Sequence, residues 1–152
     1  MSDIGLFIDS EGFINIDYED GDLKVDEGLQ TAVLISLFTD ARIDESEKEY
    51  EEQSVRGFWG DMFSEREGDV TGSKLWLFNR AKRTTETLVF YEDYAKKALA
   101  WLTQDGVAEK VYVSAVYRGG GLMLEIKVQK GKVEYKYSIF WDGQKVKLSE
   151  GF

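Results

Sequence analysis

The sequence predicts a mixed α+β fold of 152 residues. Two segments repeat apolar residues with helical spacing, and the last third of the chain alternates apolar and polar residues between glycine-containing turns. The expected order is an N-terminal β-hairpin, two main helices and a C-terminal three-stranded antiparallel meander. The length suits a single domain spanning residues 1–152, with a core because 43% of the residues are hydrophobic.

The first elements expected are a hairpin and a helix. Residues 13–18 alternate like a strand, Asp20-Gly21 is a hairpin turn signal, and residues 23–25 form the return strand. Residues 26–41 then place apolar side chains on one side of a helix, which we interpret as a core face. These side chains are Leu29, Val33, Leu34, Leu37 and Phe38.

The second helix is expected over residues 84–106. Thr84 or Thr85 can cap its start, Glu86 lies in its first turn, and Gly106 can take the left-handed conformation at its end. Its main apolar stripe is Leu88, Tyr91, Ala95, Ala98, Leu99 and Leu102, and an adjacent stripe is Phe90, Tyr94 and Trp101. Two interpretations stay open: a helix enclosed between a sheet and a loop, or an aromatic stripe that meets another chain.

The C-terminal meander is expected from three alternating segments. They cover residues 110–117, 122–128 and 133–141, with turns at 118–121 and 130–132. A further Asp-Gly turn follows within residues 141–145.

A long segment, about residues 40–73, shows neither helical nor strand periodicity. Irregular segments of this length are uncommon in compact domains and are typical of binding loops or disordered stretches. Its first half is acidic, whereas its second half has Phe58, Trp59, Met62 and Phe63 near Gly57 and Gly60. Because such side chains gain free energy on leaving water, we expect this half to be packed on something.

The charge is divided unevenly along the chain. Residues 1–70 contain 20 acidic and 5 basic residues, and residues 71–152 contain 9 and 14. An acidic front disfavours nucleic-acid binding, because a binder must neutralise phosphates. A chain with two signs of charge can dock head to tail or onto charged neighbours, although both blocks can also simply be solvated.

Several function classes are disfavoured by composition. No apolar run approaches the roughly 20 residues of a membrane helix, and the start does not resemble a secretory signal. The chain has no Cys and no His, which excludes Ser-His and Cys-His catalysis but leaves a Ser-Lys pair open. No calcium-loop or phosphate-loop spacing is present, so we expect no metal and no cofactor.

Two charged clusters allow sharper hypotheses. Asp61, Glu65, Glu67 and Asp69 lie near the aromatic residues, where a sugar-hydrolysing site would need two carboxylates. A plain acidic loop is the simpler explanation, because such clusters arise readily by coincidence among 29 acidic residues. Arg80, Lys82 and Arg83 belong to the one basic cluster, which is either a site for phosphate or an acidic partner, or a solvated helix junction.

Four blocks occur in an order that resembles the Mu-like bacteriophage tail baseplate protein family. They are GLQTAVLISLFTDARIDE (28–45), RGFWGD (56–61), GSKLWLFNRAKRTTETL (72–88) and YAKKALAWLTQDGVA (94–108). The resemblance covers about residues 22–128. The chain departs from the family pattern at Phe58, where a second Trp is expected, and at Ala41, where a basic residue is expected.

The resemblance implies a structural role as the small wedge subunit of a contractile tail, related to the lysozyme-named wedge protein of T-even phages. Expected partners are other wedge and tail proteins, and copies of the chain can also meet in the baseplate. The subunit would be assembled in the bacterial host cytoplasm and end in the virion tail. The candidate interface residues are Phe58, Trp59, Asp61, Trp76, Arg80, Lys82, Arg83, Phe90, Tyr94 and Trp101.

The loop around Trp59 is expected to be half core and half docking surface. Gly57 and Gly60 are expected to let its backbone turn tightly. Asp61 is expected to cap or hydrogen-bond the chain that leads to Trp76.

Two alternatives from other classes remain open. One is a carboxylate-dependent glycosidase that acts on cell wall. The other is a small ligand-binding module, which predicts a closed pocket lined by Trp59 or Trp76.

Overall fold

The α+β prediction is confirmed by the computed structural model, which describes residues 3–26, 29–47, 54–66, 70–80, 83–143 and 145–148. The strands are β1 (Asp3–Ile4), β2 (Leu6–Ile8), β3 (Ile14–Ile16), β4 (Tyr18–Glu19), β5 (Asp22–Leu23), β6 (Val25–Asp26), β7 (Lys110–Arg118), β8 (Gly121–Lys130), β9 (Val133–Trp141) and β10 (Val146–Leu148). The α-helices are α1 (Gln30–Phe38), α2 (Thr85–Leu99) and α3 (Trp101–Gln104), and the 3₁₀ helices are η1 (Glu45–Glu47), η2 (Trp59–Phe63) and η3 (Leu75–Arg80).

The first six strands form an N-terminal ribbon, residues 3–26, made of three antiparallel pairs: β1 with β6, β2 with β3, and β4 with β5. The pairs meet at Gly5, whose amide donates to the Lys24 carbonyl (2.7 Å) and whose carbonyl accepts from the Asp17 amide (2.8 Å). The predicted hairpin is confirmed at its turn, where Asp20 and Gly21 have φ of 53° and 82°. The pairing of residues 3–8 with the ribbon was not predicted.

The core lies between α1, α2, α3 and one face of a four-stranded antiparallel sheet with the order β10-β9-β8-β7. The predicted three-stranded meander is confirmed, and the short β10 adds a fourth strand beyond the Asp-Gly turn. Alternate residues of β8 face the helices and are fully buried, as strand periodicity requires. These residues are Leu122, Leu124, Ile126 and Val128.

Both predicted helices are present, with different bounds. Helix α1 is shorter than the expected 26–41, and residues 27–28 lie outside the described residues. Thr39 is already extended, because the chain there pairs with a later segment instead of continuing the helix. The second helix is divided at Ala100 into α2 and α3, and it ends at Gly106 with φ of 72°.

Helix α2 begins with a capping box. Thr84 accepts a hydrogen bond on its side-chain oxygen from the Thr87 amide (3.2 Å), and the Thr87 hydroxyl accepts one from the Thr84 amide (3.3 Å). Two amides that have no partner within the helix are thereby satisfied.

The segment between α1 and α2 is closed at its base by what we call the clasp. Asp40 and Ser73 form an isolated parallel bridge, in which the Ser73 amide donates to the Thr39 carbonyl (2.9 Å) and the Ala41 amide to the Ser73 carbonyl (3.0 Å). The Ser73 hydroxyl donates to the Leu37 carbonyl at the end of α1 (2.5 Å). Gly72 has φ of 95°, and any side chain there would clash with the Thr39 carbonyl.

The cap of α2 can be tested by Thr84→Ala. We expect a loss of about 1 kcal/mol in the free energy of unfolding, because the Thr87 amide loses its acceptor. Urea denaturation measures this loss. Thr85→Ala is the matched control, since it removes the neighbouring threonine without touching the cap. An equal loss in both variants would contradict the assignment.

Candidate functional site

An exposed aromatic surface lies on the loop that carries η2. Trp59 is 72% exposed and Met62 is 83% exposed, and Phe63 and Phe58 are also exposed. The Trp59 ring contacts both phenylalanines, with ring centroids 5.4 Å from Phe58 and 6.3 Å from Phe63. The rings contact one another but leave large apolar areas in water, so the expectation that these side chains pack on something stays a prediction. We call residues 54–66 the aromatic loop.

Asp61 holds the aromatic loop to the chain that leads into the clasp. Its carboxylate accepts hydrogen bonds from the Thr71 amide (3.0 and 3.2 Å) and from the Thr71 hydroxyl (2.6 Å). The sequence suggested this bond, since Asp61 was expected to bind the segment before Trp76. The loop is thus positioned by an internal carboxylate, which keeps its apolar side chains pointing to solvent.

The two glycines of the loop serve different purposes. Gly57 has φ of 119°, a conformation that L side chains rarely adopt, and it lies against Arg42. Gly60 does not have a positive φ; instead, the Phe58 ring occupies the place where its Cβ would be. Only Gly57 therefore fits the expectation of a tight backbone turn.

Trp76 is a core residue, which corrects its assignment to the interface. It is only 7% exposed, and its indole N–H donates to the Ala41 carbonyl (2.9 Å) beside the clasp. The guanidinium of Arg56 lies 4.4 Å from its ring centroid and also pairs with Asp40 (2.5 Å). Arg56 was missed by sequence reasoning, since nothing in its neighbours marks its positive φ of 51° or its stacking.

The adjacent stripe of the second helix is partly exposed. Phe90 stacks on the half-buried Tyr94, with centroids 6.4 Å apart, and its other side faces solvent. Trp101 is 37% exposed and donates its indole N–H to the Ser36 hydroxyl (2.9 Å). The main stripe is buried as predicted, with Tyr91, Ala95, Leu99 and Leu102 in the core.

A groove of about 500 Å³ connects the aromatic loop to the helices. Phe58 and Asp61 line it from the loop, Trp101 from α3 and Ile35 from α1. The structure therefore brings Phe58, Asp61 and Trp101 together from distant positions in the sequence. Across the groove, the Arg66 guanidinium lies 3.0 Å from the Asp105 carboxylate, an exposed ion pair between loop and helix end.

The basic cluster is described only in part. Arg83 is exposed, and its guanidinium donates to the Gly120 carbonyl in the β7–β8 turn. Lys82 and the side chain of Arg80 lie outside the described residues.

The alternatives gain no support from the described residues. Of the four carboxylates considered for sugar hydrolysis, Asp61 is bonded to Thr71, Glu65 is exposed, and Glu67 and Asp69 lie outside the described ranges. Within the described part of the chain, no group of three or more acidic side chains is arranged to hold a metal ion.

Trp76 borders a second groove of about 340 Å³, shared with Trp141 and Arg56. Across the same described ranges, no helix is long and apolar enough to span a bilayer.

Like the hydrogen bonds of Asp61 to Thr71, which we call the Asp61 tie, a second set of polar contacts holds the start of the long segment. We call this set the Glu47 tie. Glu47 accepts hydrogen bonds from the Lys74 ammonium (2.7 Å) and the Asp44 amide (2.8 Å). The hydrogen bond from Lys74 lowers the pKa of Glu47 below its ordinary value of 4.5. Because the folded carboxylate holds its proton less tightly than the unfolded one, this bond stabilises the fold above that value.

Large apolar side chains that hydrogen bonds hold in solvent on a loop are typical of a surface that binds another molecule. The family described as "Phage protein GP46" matches residues 29–134, and the chain belongs to this family. It is 41% identical over 116 residues to the "Mu-like prophage FluMu protein gp46" of Haemophilus influenzae, covering 76% of each chain. It is 40% identical over 99 residues to the "Baseplate protein gp46" of Escherichia phage Mu, covering 64% of this chain and 66% of that protein. The resemblance seen in the sequence is confirmed.

The Glu47 tie predicts a defined pH dependence. Glu47→Gln should destabilise the protein at neutral pH, and its difference from the wild type should shrink as the pH falls below 4.5, through the folded pKa. Urea denaturation at a series of pH values measures this difference. Glu65→Gln, which removes an exposed carboxylate, should not reproduce the trend. A difference for Glu47→Gln that is independent of pH would refute the assignment.

The Asp61 tie predicts a local effect. Asp61→Ala should release the aromatic loop, so that amide hydrogens of residues 54–66 exchange faster and protease cuts there. The global free energy of unfolding should change by only about 1–2 kcal/mol, since the hydrogen bonds are only partly buried. Glu65→Ala serves as the control. Unchanged exchange in Asp61→Ala would show that the loop is held by other contacts.

Proposed function

We propose that the chain is a structural subunit of a contractile phage or prophage-derived tail baseplate, and that its aromatic loop docks onto another baseplate protein. The observation that carries the proposal is the exposure of Trp59, Met62 and Phe63 on a loop that the hydrogen bonds of Asp61 hold in place. Membership in the family and the name of the phage Mu relative support the baseplate setting.

The exposed side chains of the aromatic loop cost free energy in water, and a partner that covers them recovers it. Trp, Phe and Met are enriched at the centres of protein interfaces, where they form binding hot spots. The clasp and Asp61 already order the backbone of this loop. Binding a partner therefore costs the loop little further conformational entropy. The groove beside Phe58 and Trp101 gives the partner a concave site for a side chain of its own.

A wider docking face is part of the proposal. Phe90 and Tyr94 offer a second apolar contact on α2. Arg80, Lys82 and Arg83 are proposed to meet an acidic patch on a neighbouring subunit. Trp76 supports this face from beneath and is not itself a contact.

The finer parts of the proposal rest on the family resemblance. The partners would be larger wedge proteins and the tube or the first sheath ring, with assembly in the host cytoplasm. The role is structural and not enzymatic. No observation specifically favours the glycosidase or the ligand-binding module.

The proposal predicts that Trp59→Ala weakens binding to the docking partner by about 30-fold or more, as for a hot-spot tryptophan. The fold should be retained, because the side chain is mostly solvent-exposed. Co-expression with the adjacent tail genes, followed by size-exclusion chromatography with light scattering, measures the complex. Circular dichroism checks the fold.

Phe13→Ala is the matched control, since Phe13 is also an exposed aromatic but lies on the N-terminal ribbon. In the wild-type complex, residues 54–66 should be protected from protease. Normal assembly by Trp59→Ala would overturn the proposed docking face. Wall hydrolysis by the purified chain would instead favour the enzyme.

A further inference from the structure

The face of the sheet that points away from the helices carries an unusual pair of charges. Tyr112, Lys127 and Lys136 lie side by side on β7, β8 and β9, and all three are exposed. Lys127 and Lys136 are direct cross-strand neighbours, an arrangement in which like charges repel. Glu134 lies 3.4 Å from the Lys136 ammonium, but no acidic side chain among the described residues pairs with Lys127.

The tip of the N-terminal ribbon carries the opposite arrangement. Residues 18–23 are all exposed, and Glu19 lies directly across from Asp22, next to the Asp20-Gly21 turn. Two opposed carboxylates destabilise a hairpin in the same way as two opposed ammonium groups. Within the described ranges, no lysine or arginine forms an ion pair with Glu19, Asp20 or Asp22.

The acidic pair and the lysine pair do not meet within one chain, since no ion pair joins them among the described residues. The ribbon joins the sheet where the Val146 amide donates to the Gly12 carbonyl (3.0 Å), and Val146 pairs with Trp141 at the end of β9. Lys136 lies five residues before Trp141 on this nine-residue strand. At about 3.3 Å per residue, roughly 17 Å of strand separate Lys136 from the junction. We therefore infer that each pair finds its counter-charge on another molecule.

We propose that the hairpin tip of one copy docks onto the lysine pair of a second copy. Residues directly opposed in antiparallel strands have Cβ atoms about 5 Å apart, so two carboxylates and two ammonium groups match pairwise. The contact is heterologous, since the tip and the lysine pair are different surfaces. Repetition of the contact builds a ring or an open chain of copies.

The contact is weak between free molecules. Two copies with a net charge of −10 repel one another at long range, and a six-residue tip covers only a small area. Copies held side by side in a larger assembly have a high effective concentration, which favours the contact there. This inference goes beyond the proposed function and does not require the aromatic loop to bind.

Zero-length coupling of carboxylates to amines tests the contact directly in the unmodified chain. Equal amounts of ¹⁴N- and ¹⁵N-labelled protein are mixed, treated with a carbodiimide and mapped by mass spectrometry. We expect mixed-label peptides that join Glu19 or Asp22 to Lys127 or Lys136. Asp93 and Lys97, 3.0 Å apart on α2, report within one chain that coupling has worked. Same-label Asp93–Lys97 links without mixed-label tip links would overturn the proposal.

A charge exchange then tests the pairing. Glu19→Lys with Asp22→Lys, and separately Lys127→Glu with Lys136→Glu, should each lower the yield of mixed-label dimers at least tenfold when present in both copies. Mixing the two double variants should restore dimers, because in either orientation the tip of one variant then meets a sheet pair of opposite charge on the other. If mixing does not restore the dimers, the proposed pairing is wrong. This is also the result expected if the tip binds a basic surface of a different protein. Since the isolated chain is used, the outcome is independent of the Trp59 experiment.

Discussion

The clasp between residues 39–41 and 72–73 is the constraint on which the rest of the structure depends. It fixes both ends of a long segment whose described part contains only single turns of 3₁₀ helix between them. Closing such a segment costs conformational entropy. A few backbone hydrogen bonds and the hydrogen bond from the buried Ser73 hydroxyl offset this cost. The absence of a side chain at Gly72 is what allows the two backbones to approach.

The clasp links the core to the surface. Trp76 follows it directly and binds the Ala41 carbonyl, so one tryptophan is buried because the clasp forms. Trp59, only 17 positions earlier in the sequence, is left in water because Asp61 ties its loop at Thr71. Two tryptophans of the same segment of sequence therefore have opposite environments, one in the core and one in solvent.

The regular elements could be predicted from the sequence because periodicity and turn chemistry are local. The Asp20-Gly21 turn, the Thr84 cap and the alternation in β8 each identify an element without reference to distant residues. The bond from Asp61 towards the chain before Trp76 was also foreseen. These local signals were sufficient for the two main helices, the meander and most of the core, but not for the pairing of residues 3–8 in the ribbon.

The remaining features depend on contacts between distant segments. The burial of Trp76 and the exposure of Trp59 are decided by the clasp, which pairs residues that no local pattern connects. Arg56 stacks on Trp76 across 20 positions, and Gly5 joins three strand pairs. Propensity does not encode such pairings, so the sequence alone did not distinguish the buried Trp76 from the exposed Trp59.

The strand geometry of the N-terminal hairpin makes it an adjustable spacer. Residues 18–23 are exposed throughout, and a side chain added at Gly21 would meet nothing within 4 Å. An insertion of two residues in each strand would move the tip outward by about 7 Å and keep its acidic pair on the same face. An insertion of one residue in each strand would turn that pair to the opposite face. Evolution can therefore change the reach of this hairpin in steps of two residues per strand while the core remains unaltered.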